Sequence, residues 1–343
     1  MTITRPDDWH VHLREGVELQ DTCRDLCRYI GRALVMPNLS KPVTNLALAE
    51  EYYKNIKTTT TLFSRQFSPL MTLYLTDKTS AQEILEAAKS EIVYGTKFYP
   101  AGATTNSKSG IVDISALYPI FEIMQREKLN LMIHGEVTDS EIDPFDKEKI
   151  FIDLHLEPLV KEFPGLKITL EHITTKDAVQ FILDAGNNVA STITPHHLVY
   201  NRSDLFQNGI KPHLYCLPIL KRSLHQIALL EAAISGNPKF FLGTDSAPHN
   251  IKNKESACGC AGVYSAHASL EFYTEVFDKM KALDKLQGFA SEFGANFYGL
   301  PKNLDSVTLL REEWKIPEKL PLGDDWLTPM MSKETVKWKV ISQ

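Results

Sequence analysis

The sequence has no strong excess of charge and no segment suited to a membrane. Its 37 basic residues are outnumbered by 43 acidic ones, and no block rich in lysine or arginine occurs, so nucleic acid and anionic membrane surfaces are not expected partners. No apolar h-region of a signal peptide stands at the N-terminus, and no apolar run approaches the ~20 residues that span a bilayer. These absences predict a cytoplasmic protein.

Cysteine is also scarce. Five cysteines, an odd number, occur in 343 residues, which indicates a reducing compartment and free thiols. The one close pair, Cys258 and Cys260, lacks the two-residue spacing of zinc and redox motifs. We therefore expect no disulfide and no metal bound by cysteine.

The sequence does contain a repeated alternation of apolar runs with segments of helical period. Such alternation predicts a parallel sheet, and eight repeats predict a (β/α)8 TIM barrel. A doubly wound open sheet is the alternative, but no glycine-rich phosphate-binding motif follows the first run. The eight runs cover about 4–13, 32–38, 68–76, 94–100, 129–137, 167–173, 188–198 and 239–248.

The segments between the runs carry helix signals. Thr174 with Asp177 reads as a capping box that opens a helix ending near Gly186. The spacing of a buried helical stripe occurs twice: at Leu117, Ile120, Phe121 and Met124, and again at Leu224, Ile227, Ala228, Glu231 and Ile234.

Residues 1–343 are predicted to form a single domain. The barrel is expected over about 4–300. From about residue 301 to 343 the periodicity is lost, so we expect an irregular C-terminal extension packed on the barrel. This extension is marked by Trp314, Pro317, Pro321, Trp326, Pro329 and Trp338.

Polar residues recur where the predicted strands end, which is where barrel enzymes hold their chemistry. His10, His12 and Arg14 share one face of the first strand, because strand side chains alternate with period two. Neutral imidazole is the commonest zinc ligand, so this face suggests a metal with an anionic substrate beside it. The other strand ends supply Asn38, Lys97, His134, His172, Asp245 and His249.

Each of these residues also has a plainer explanation. Hydrogen-bonded core imidazoles are the plainer explanation for His10, His12, His134 and His172. Asp245 fits a helix cap, and Lys97 fits a surface lysine. A protonated lysine beside metal ions is unfavourable, so Lys97 in a metal site has to be neutral or carbamylated. The carbamate is a carboxylate that can bridge two metals.

The remaining histidines are assigned no metal role. His196 and His197 are adjacent and are expected to face opposite sides of a strand, so both cannot bind one ion. The loop 101–110, small and polar, fits an active-site lid or a plain surface connection. Packing or surface roles are expected for His155, His213, His225 and His267.

Taken in order, the motifs resemble the amidohydrolase superfamily and, within it, most closely the dihydroorotases of the shorter, bacterial type. The resemblance extends from Asp7 to about Leu300. It rests on His-Val-His-Leu-Arg (10–14), Val-Met-Pro-Asn (35–38), Lys-Phe-Tyr-Pro-Ala (97–101), Thr-Thr-Asn (104–106), Thr-Pro-His-His-Leu (194–198), Cys-Leu-Pro-Ile-Leu-Lys-Arg (216–222) and Gly-Thr-Asp-Ser-Ala-Pro-His (243–249).

The resemblance implies two zinc ions per subunit, bridged by a carbamylated Lys97 and a hydroxide. The hydroxide would be the nucleophile, with Asp245 as general base and acid. Zinc, cobalt and manganese can share such ligands. One ion would be held by His10, His12, Asp245 and the carbamate, and the other by His134, His172 and the same carbamate.

It also implies how a substrate binds. Arg14, Asn38 and His249 would hold a carboxylate, main-chain groups of Leu217 and Ala261 would contact the ring, and Thr104 and Thr105 would close over it. The implied reaction is the reversible cyclisation of N-carbamoyl-L-aspartate to L-dihydroorotate plus water, the third step of pyrimidine (UMP) synthesis. A homodimer is likewise implied.

Sibling enzymes define the alternatives. Hydantoinases, allantoinases and longer dihydroorotases carry a small β-sandwich built partly from residues before the first barrel strand, and His10 stands too near the start to leave room for it. The competing hypotheses are another cyclic amide or imide hydrolase, such as a hydantoinase-like enzyme, and an inactive amidohydrolase scaffold. Scaffolds typically lose a metal histidine or the lysine, whereas all six ligand positions are filled here.

Overall fold

Eight parallel strands form the centre of the molecule in a computed structural model that describes residues 1–341. They neighbour one another in chain order, and the first and last meet through a bridge between Val11 and Ser246. This confirms the (β/α)8 barrel and excludes the open sheet. After an N-terminal strand β1 (Thr2–Thr4), the barrel strands are β2 (Asp7–Val11), β3 (Arg32–Val35), β4 (Ser68–Tyr74), β5 (Val93–Phe98), β6 (Asn130–Ile133), β7 (Ile168–Leu170), β8 (Val189–Ile193) and β9 (Phe240–Leu242).

Helices connect the strands and cover the barrel. Each of the eight predicted apolar runs contains a strand, but the strands are shorter than the runs because the polar site residues follow them. The helices are α1 (Glu18–Cys27), α2 (Leu46–Thr60), α3 (Ala81–Lys89), α4 (Tyr118–Glu127), α5 (Lys147–Phe151), α6 (Glu157–Glu162), α7 (Lys176–Asp184), α8 (Pro195–Val199), α9 (Ser223–Ile234), α10 (Ile251–Lys254), α11 (Ser269–Lys279) and α12 (Phe293–Tyr298). Short 3-10 turns span Ile114–Leu117, Arg202–Leu205, Pro212–Leu214 and Leu283–Lys285, and π-helical turns span Ile152–Leu156 and Gly288–Glu292.

The predicted helix signals have different outcomes. The stripe on α4 is buried as expected. The capping box is wrong by one residue: Thr175 is the N-cap of α7, and the Thr174 hydroxyl donates to buried Glu148 at 2.8 Å instead. The stripe on α9 is also wrong, because Leu224 and Ile227 are 45% and 53% exposed. This helix is apolar on several sides, so spacing alone does not identify its buried face.

The C-terminal segment is more regular than the sequence predicts. Strand β10 (Ser306–Lys315) pairs antiparallel with β1 and with β13 (Thr335–Ile341), and β11 (Leu320–Leu322) pairs with β12 (Asp325–Leu327). Trp338 of β13 donates to Asp278 of α11 at 3.1 Å, which fastens this sheet to the barrel. The sequence pattern did not show this sheet because one of its three strands lies about 300 residues away at the other end of the chain.

The floor of the barrel fixes the first strand. Trp9 stacks on Tyr298 of α12 with ring centroids 4.4 Å apart. A Cβ at Gly294 would lie 2.0 Å from the Trp9 ring nitrogen, so only glycine permits this packing. Asp8 accepts from the Thr244 hydroxyl at 2.6 Å, which joins β2 to the end of β9. These contacts fix the position, along the barrel axis, of the residues that follow Trp9.

Two further expectations concern membranes and thiols. Within residues 1–341 no helix combines the length and the apolar character needed to cross a bilayer. The five cysteines are free, as predicted.

A buried histidine makes the stability of the fold depend on pH. His267 lies between Tyr264 and Phe272, and burial lowers its pKa to about 3. An unfolded imidazole titrates near 6.5, so between these values the unfolded chain binds a proton that the folded chain does not. Stability contributed by the neutral ring is therefore lost as pH falls from about 6.5, by at most about 1.4 kcal/mol per pH unit.

We expect His267→Phe to reduce the loss of unfolding free energy between pH 7 and pH 5, measured by urea denaturation. His213→Phe removes a more exposed imidazole and is expected not to reduce that loss. An equal loss in wild type and His267→Phe would contradict the assignment.

Candidate active site

A pocket opens at the carboxyl ends of the barrel strands. The structure brings most of the predicted site residues to this pocket; Lys97 and His249 do not line it but contact Tyr99 and Arg14, which do. The lining residues are His10, His12, Arg14, Asn38, Tyr99, Thr104, Thr105, His134, His172, Leu217, Asp245, Ala247, Ala261 and Gly262.

Three side chains converge at the end of β2. Nε2 of His10 lies 3.3 Å from Nε2 of His12, and both nitrogens lie close to one oxygen of Asp245, at 3.2 and 3.1 Å. Ligand atoms about 2.0–2.1 Å from a tetrahedral zinc are themselves separated by roughly 3.3 Å. The three side chains therefore have the mutual spacing of a metal-binding set.

The electrostatics of this set also favour a cation. Burial lowers the pKa of His10, but the carboxylates of Glu171 and Asp245 outweigh burial and raise it to about 9. Burial lowers the pKa of His12 to about 4, against the opposing effect of Asp245. The two buried carboxylates are therefore stabilised by positive charge at His10, which either a proton or a metal ion can supply.

His172 and His134 complete the histidine cluster. The ring of His172 lies 4.9 Å from those of His10 and His134, measured between centroids. His10, His172 and Asp245 each offer a ligand atom within 4.8 Å of the others. Nδ1 of His172 is buried and has no hydrogen-bond partner among residues 1–341, which is costly unless something binds it. Nε2 of His134 is held at 2.8 Å by Glu136, so Nδ1 is the ring nitrogen that it could offer to a metal.

Lys97 is fully buried at the end of β5 and contacts a residue that the sequence did not single out. Its ammonium pairs with Glu171, whose other oxygen lies 2.9 Å from Nδ1 of His10. Burial lowers the pKa of Lys97, although Glu171 opposes the shift. A lysine with a lowered pKa has more of the neutral amine that reacts with carbon dioxide, which fits the carbamylation predicted for it.

Backbone strain accompanies the site. Arg14, His172 and Asp245 have φ values of +62°, +43° and +45°, in the left-handed region that non-glycine residues rarely adopt. The main chain compensates, since Asp245 N donates to His10 O at 2.8 Å and His172 N donates to the Thr192 hydroxyl at 2.7 Å. Strain of this kind is characteristic of sites where side-chain direction matters.

One end of the cavity is cationic. Arg14 donates through Nε and Nη2 to Pro248 O at 3.1 and 3.0 Å, and Nη2 lies 3.2 Å from His249 Nε2. His249 also lies 3.0 Å from Ala261 O. Asn38 donates one amide hydrogen to Thr105 O at 3.1 Å and has a second amide hydrogen that it can donate. These groups can receive an anion.

The loop 101–110 folds over the cavity. Thr104 and Thr105 line it, and Asn106 donates to Asn38 O at 3.1 Å. Ser107 is buried and accepts from Thr104 N at 2.8 Å. The loop therefore lies where an active-site lid would lie, rather than along the outer surface.

The comparisons with known proteins agree with this geometry. A model of the amidohydrolase family matches residues 7–309. The dihydroorotase of Shewanella amazonensis is 58% identical over 99% of this chain and 98% of its own length, and that of Vibrio vulnificus is 56% identical over 99% of each chain. The chain belongs to the dihydroorotases of the amidohydrolase family. It is accordingly a hydrolase of carbon–nitrogen bonds.

Solved structures of this family extend the likeness. A Saccharomyces cerevisiae dihydroorotase in complex with 5-fluoroorotic acid superposes with a TM-score of 0.91 at 36% identity, covering 99% of this chain and 98% of that one. The Campylobacter jejuni dihydroorotase gives a TM-score of 0.90 at 35% identity, covering 99% and 97%. An L-hydantoinase from Arthrobacter aurescens shares only the fold, with a TM-score of 0.78 at 18% identity, covering 99% and 84%.

The prediction for the second histidine pair is wrong in its geometry. His196 and His197 lie on the short helix α8, not on a strand, and both are buried. Together with Cys216 they could offer three ligand atoms to a metal. His197 already has partners at both ring nitrogens, the Thr194 hydroxyl at 2.7 Å and Pro218 O at 2.9 Å. These contacts are sufficient for a neutral, structural imidazole.

Sequence reasoning missed the carboxylates that support the site. Glu171 and Glu136 hold Lys97 and His134, and Asp8 accepts from His10 N at 3.1 Å. A signal existed, because both glutamates lie within two residues of a strand-end histidine. Only the three-dimensional arrangement shows which of them faces a ligand.

Glu171 provides a test of the candidate metal site. Partners behind metal ligands typically contribute 10–100-fold to metal affinity, so if His10 and its neighbours bind a metal, Glu171→Gln is expected to lower the affinity of the chain for added zinc by about that factor. The measurement is zinc bound per chain in titrations against a competing chelator. Glu271→Gln changes an equally buried glutamate that pairs with Arg28 away from the cavity and should leave zinc affinity unchanged. Equal affinities in the two variants would contradict the role of Glu171.

Proposed function

We propose that this chain catalyses the reversible cyclisation of N-carbamoyl-L-aspartate to L-dihydroorotate and water, the third step of pyrimidine synthesis. The observation that carries the proposal is the grouping of His10, His12 and Asp245 at ligand spacing beside the cationic end of the cavity. The relatives named dihydroorotase, which match nearly the whole chain, support the choice of substrate.

The residues fit two zinc ions of the kind the resemblance implies. When bound, the metals would lower the pKa of a water and polarise the substrate carbonyl. Buried carboxylates support this fit, as does the His172 nitrogen that has no partner in the part of the chain that the structure describes. One ion would be held by His10, His12, Asp245 and carbamylated Lys97, and the other by His134, His172 and the same carbamate.

Asp245 would move the proton of the reaction. Burial raises the pKa of its carboxyl, but His10 and His12 outweigh burial and hold the pKa well below its usual range. The carboxylate is therefore in its basic form at neutral pH. In ring opening it would accept the proton of the attacking water and deliver it to the departing ring nitrogen.

Other residues of the chain would orient the substrate. The planar guanidinium of Arg14 suits a carboxylate, although its Nε and Nη2 donate to Pro248 O in this structure, and Asn38 offers its second amide hydrogen. We propose that His249 completes this anion site, and that main-chain groups of Leu217 and Ala261 contact the ring. A substrate with both a ring amide and a carboxylate would span the cavity from the histidines to Arg14.

The lid residues would exclude water. Thr104 and Thr105 line the pocket, and Thr105 O accepts a hydrogen bond from Asn38. The homodimer, the cytoplasmic location and the organisation of residues 1–343 as one domain stay predictions.

Asp245→Asn tests the proton transfer. We expect kcat to fall about 10³-fold while the far-ultraviolet circular dichroism spectrum stays unchanged, because the amide cannot accept a proton. Asp278→Asn, outside the cavity on α11, serves as the control and should keep wild-type kcat. A rate near that of wild type in Asp245→Asn would refute the role.

Lys97→Ala tests the carbamate. We expect this variant to lose both bound metal and activity, and to recover part of each when a short carboxylic acid such as acetate is added. Retention of metal and activity without the acid would show that Lys97 is no ligand. Metal content by atomic absorption and initial rates provide the two readouts.

The substrate assignment is tested by assaying L-dihydroorotate and hydantoin side by side. Dihydroorotate should be preferred by kcat/KM. A preference for hydantoin would support the hydantoinase-like alternative, and purified protein that binds no divalent metal would support the inactive scaffold.

A further inference from the structure

Lys254 is a buried lysine that the proposed reaction does not use. It ends α10 with only 3% of its surface exposed. Among residues 1–341, no carboxylate forms an ion pair with it. Its ammonium instead donates to three main-chain oxygens, Tyr215 O at 2.8 Å, Cys260 O at 2.7 Å and Gly262 O at 2.8 Å. All three of its hydrogens are therefore used on backbone.

The three acceptors surround the residues proposed to contact the substrate ring. Cys260 and Gly262 flank Ala261 on both sides, and Tyr215 precedes Leu217 by two residues. Both Ala261 and Leu217 line the cavity. One ammonium thus joins the two loops that form this wall of the site.

Further contacts restrict the conformation of the two joined loops. Gly262 N donates to the same Tyr215 O at 3.0 Å. A Cβ at Gly262 would lie 2.7 Å from Ala247 O, and its φ of +152° lies outside the range favoured by other residues. Ala261 is therefore held by contacts on either side, and a loss of the Lys254 donors removes the hydrogen bonds to the carbonyls of Cys260 and Gly262.

The charge of Lys254 also suits an anionic ligand. His249 lies behind the cationic end of the cavity, and burial, Arg14 and Lys254 together lower its pKa to about 3. The ammonium thus adds to the positive potential of Arg14 at the end of the cavity where a carboxylate would bind.

We propose that Lys254 is a positioning residue that holds the main chain at Leu217 and Ala261 in the geometry that binds the substrate ring. This inference rests on the proposed function, since it assigns a binding role within the same site. It implies that Lys254 acts on substrate affinity and not on the metal centre or the chemical step.

Lys254→Met tests the inference, because methionine fills most of the same volume without a donor. KM for L-dihydroorotate is expected to rise about tenfold, the effect of losing about one good contact. The value of kcat should change by less than about threefold, and bound zinc should equal that of wild type. Lys254→Arg keeps the charge and N–H donors and should have a KM closer to that of wild type.

Lys252→Met is the matched control, because Lys252 lies on the same helix with its side chain 82% exposed. It should have the KM of wild type. An unchanged KM in folded Lys254→Met, or a loss of zinc and kcat at constant KM, would overturn the inference. A wild-type protein that does not act on L-dihydroorotate would instead overturn the proposed function.

A second readout does not depend on the methionine variant folding. Burial lowers the pKa of Lys254 to about 8, so KM of the wild type should rise between pH 7 and pH 9, and Lys254→Arg should not show this rise. A parallel rise in both proteins would overturn the inference. Burial moves the pKa of each group facing Lys254 away from this window; these groups are Cys216, Cys260, Tyr215, His249 and His196.

Discussion

The contact between the first and last barrel strands is the constraint on which the candidate site depends. His10 lies on β2 and His12 follows directly after its end, but Asp245 is more than 230 residues away in the chain. They meet because Asp245 N donates to His10 O at 2.8 Å and His12 N donates to Ser246 O at 3.2 Å. A barrel that failed to close at this point would leave two histidines on one edge and the carboxylate on the other.

Closure of the barrel buries carboxylates at the site, which is electrostatically unfavourable unless positive charge lies nearby. Asp245 and Glu171 are both buried, and carboxylates in that position are stable only with cations or donors nearby. His10 and the unmodified amine of Lys97 lie beside them and supply the positive charge; in the proposed carbamylated form, the bound metals would supply it instead. The same arrangement that neutralises the carboxylates also creates a place for metal ions, so stability of the core and affinity for metal are linked.

The outer parts of the site are held by main-chain contacts rather than by side-chain pairs. Arg14 donates to Pro248 O, Asn38 donates to Thr105 O, and Lys254 donates to three carbonyls. Loops have few internal hydrogen bonds, and long donors from neighbouring elements replace them. This explains how a cavity walled by loops keeps a defined shape.

The sequence by itself determined the barrel and the main ligand candidates, because both are local signals. Apolar runs predict strands, and a period of two places His10 and His12 on one face. Only the tertiary structure decided what depends on distant partners. Glu171 is a support of the site because it faces both His10 and Lys97, His196 and His197 lie on a helix, and the C-terminal sheet needs β1 from the far end of the chain. Such pairings are made across hundreds of residues by packing and hydrogen bonding, and no local spacing records them.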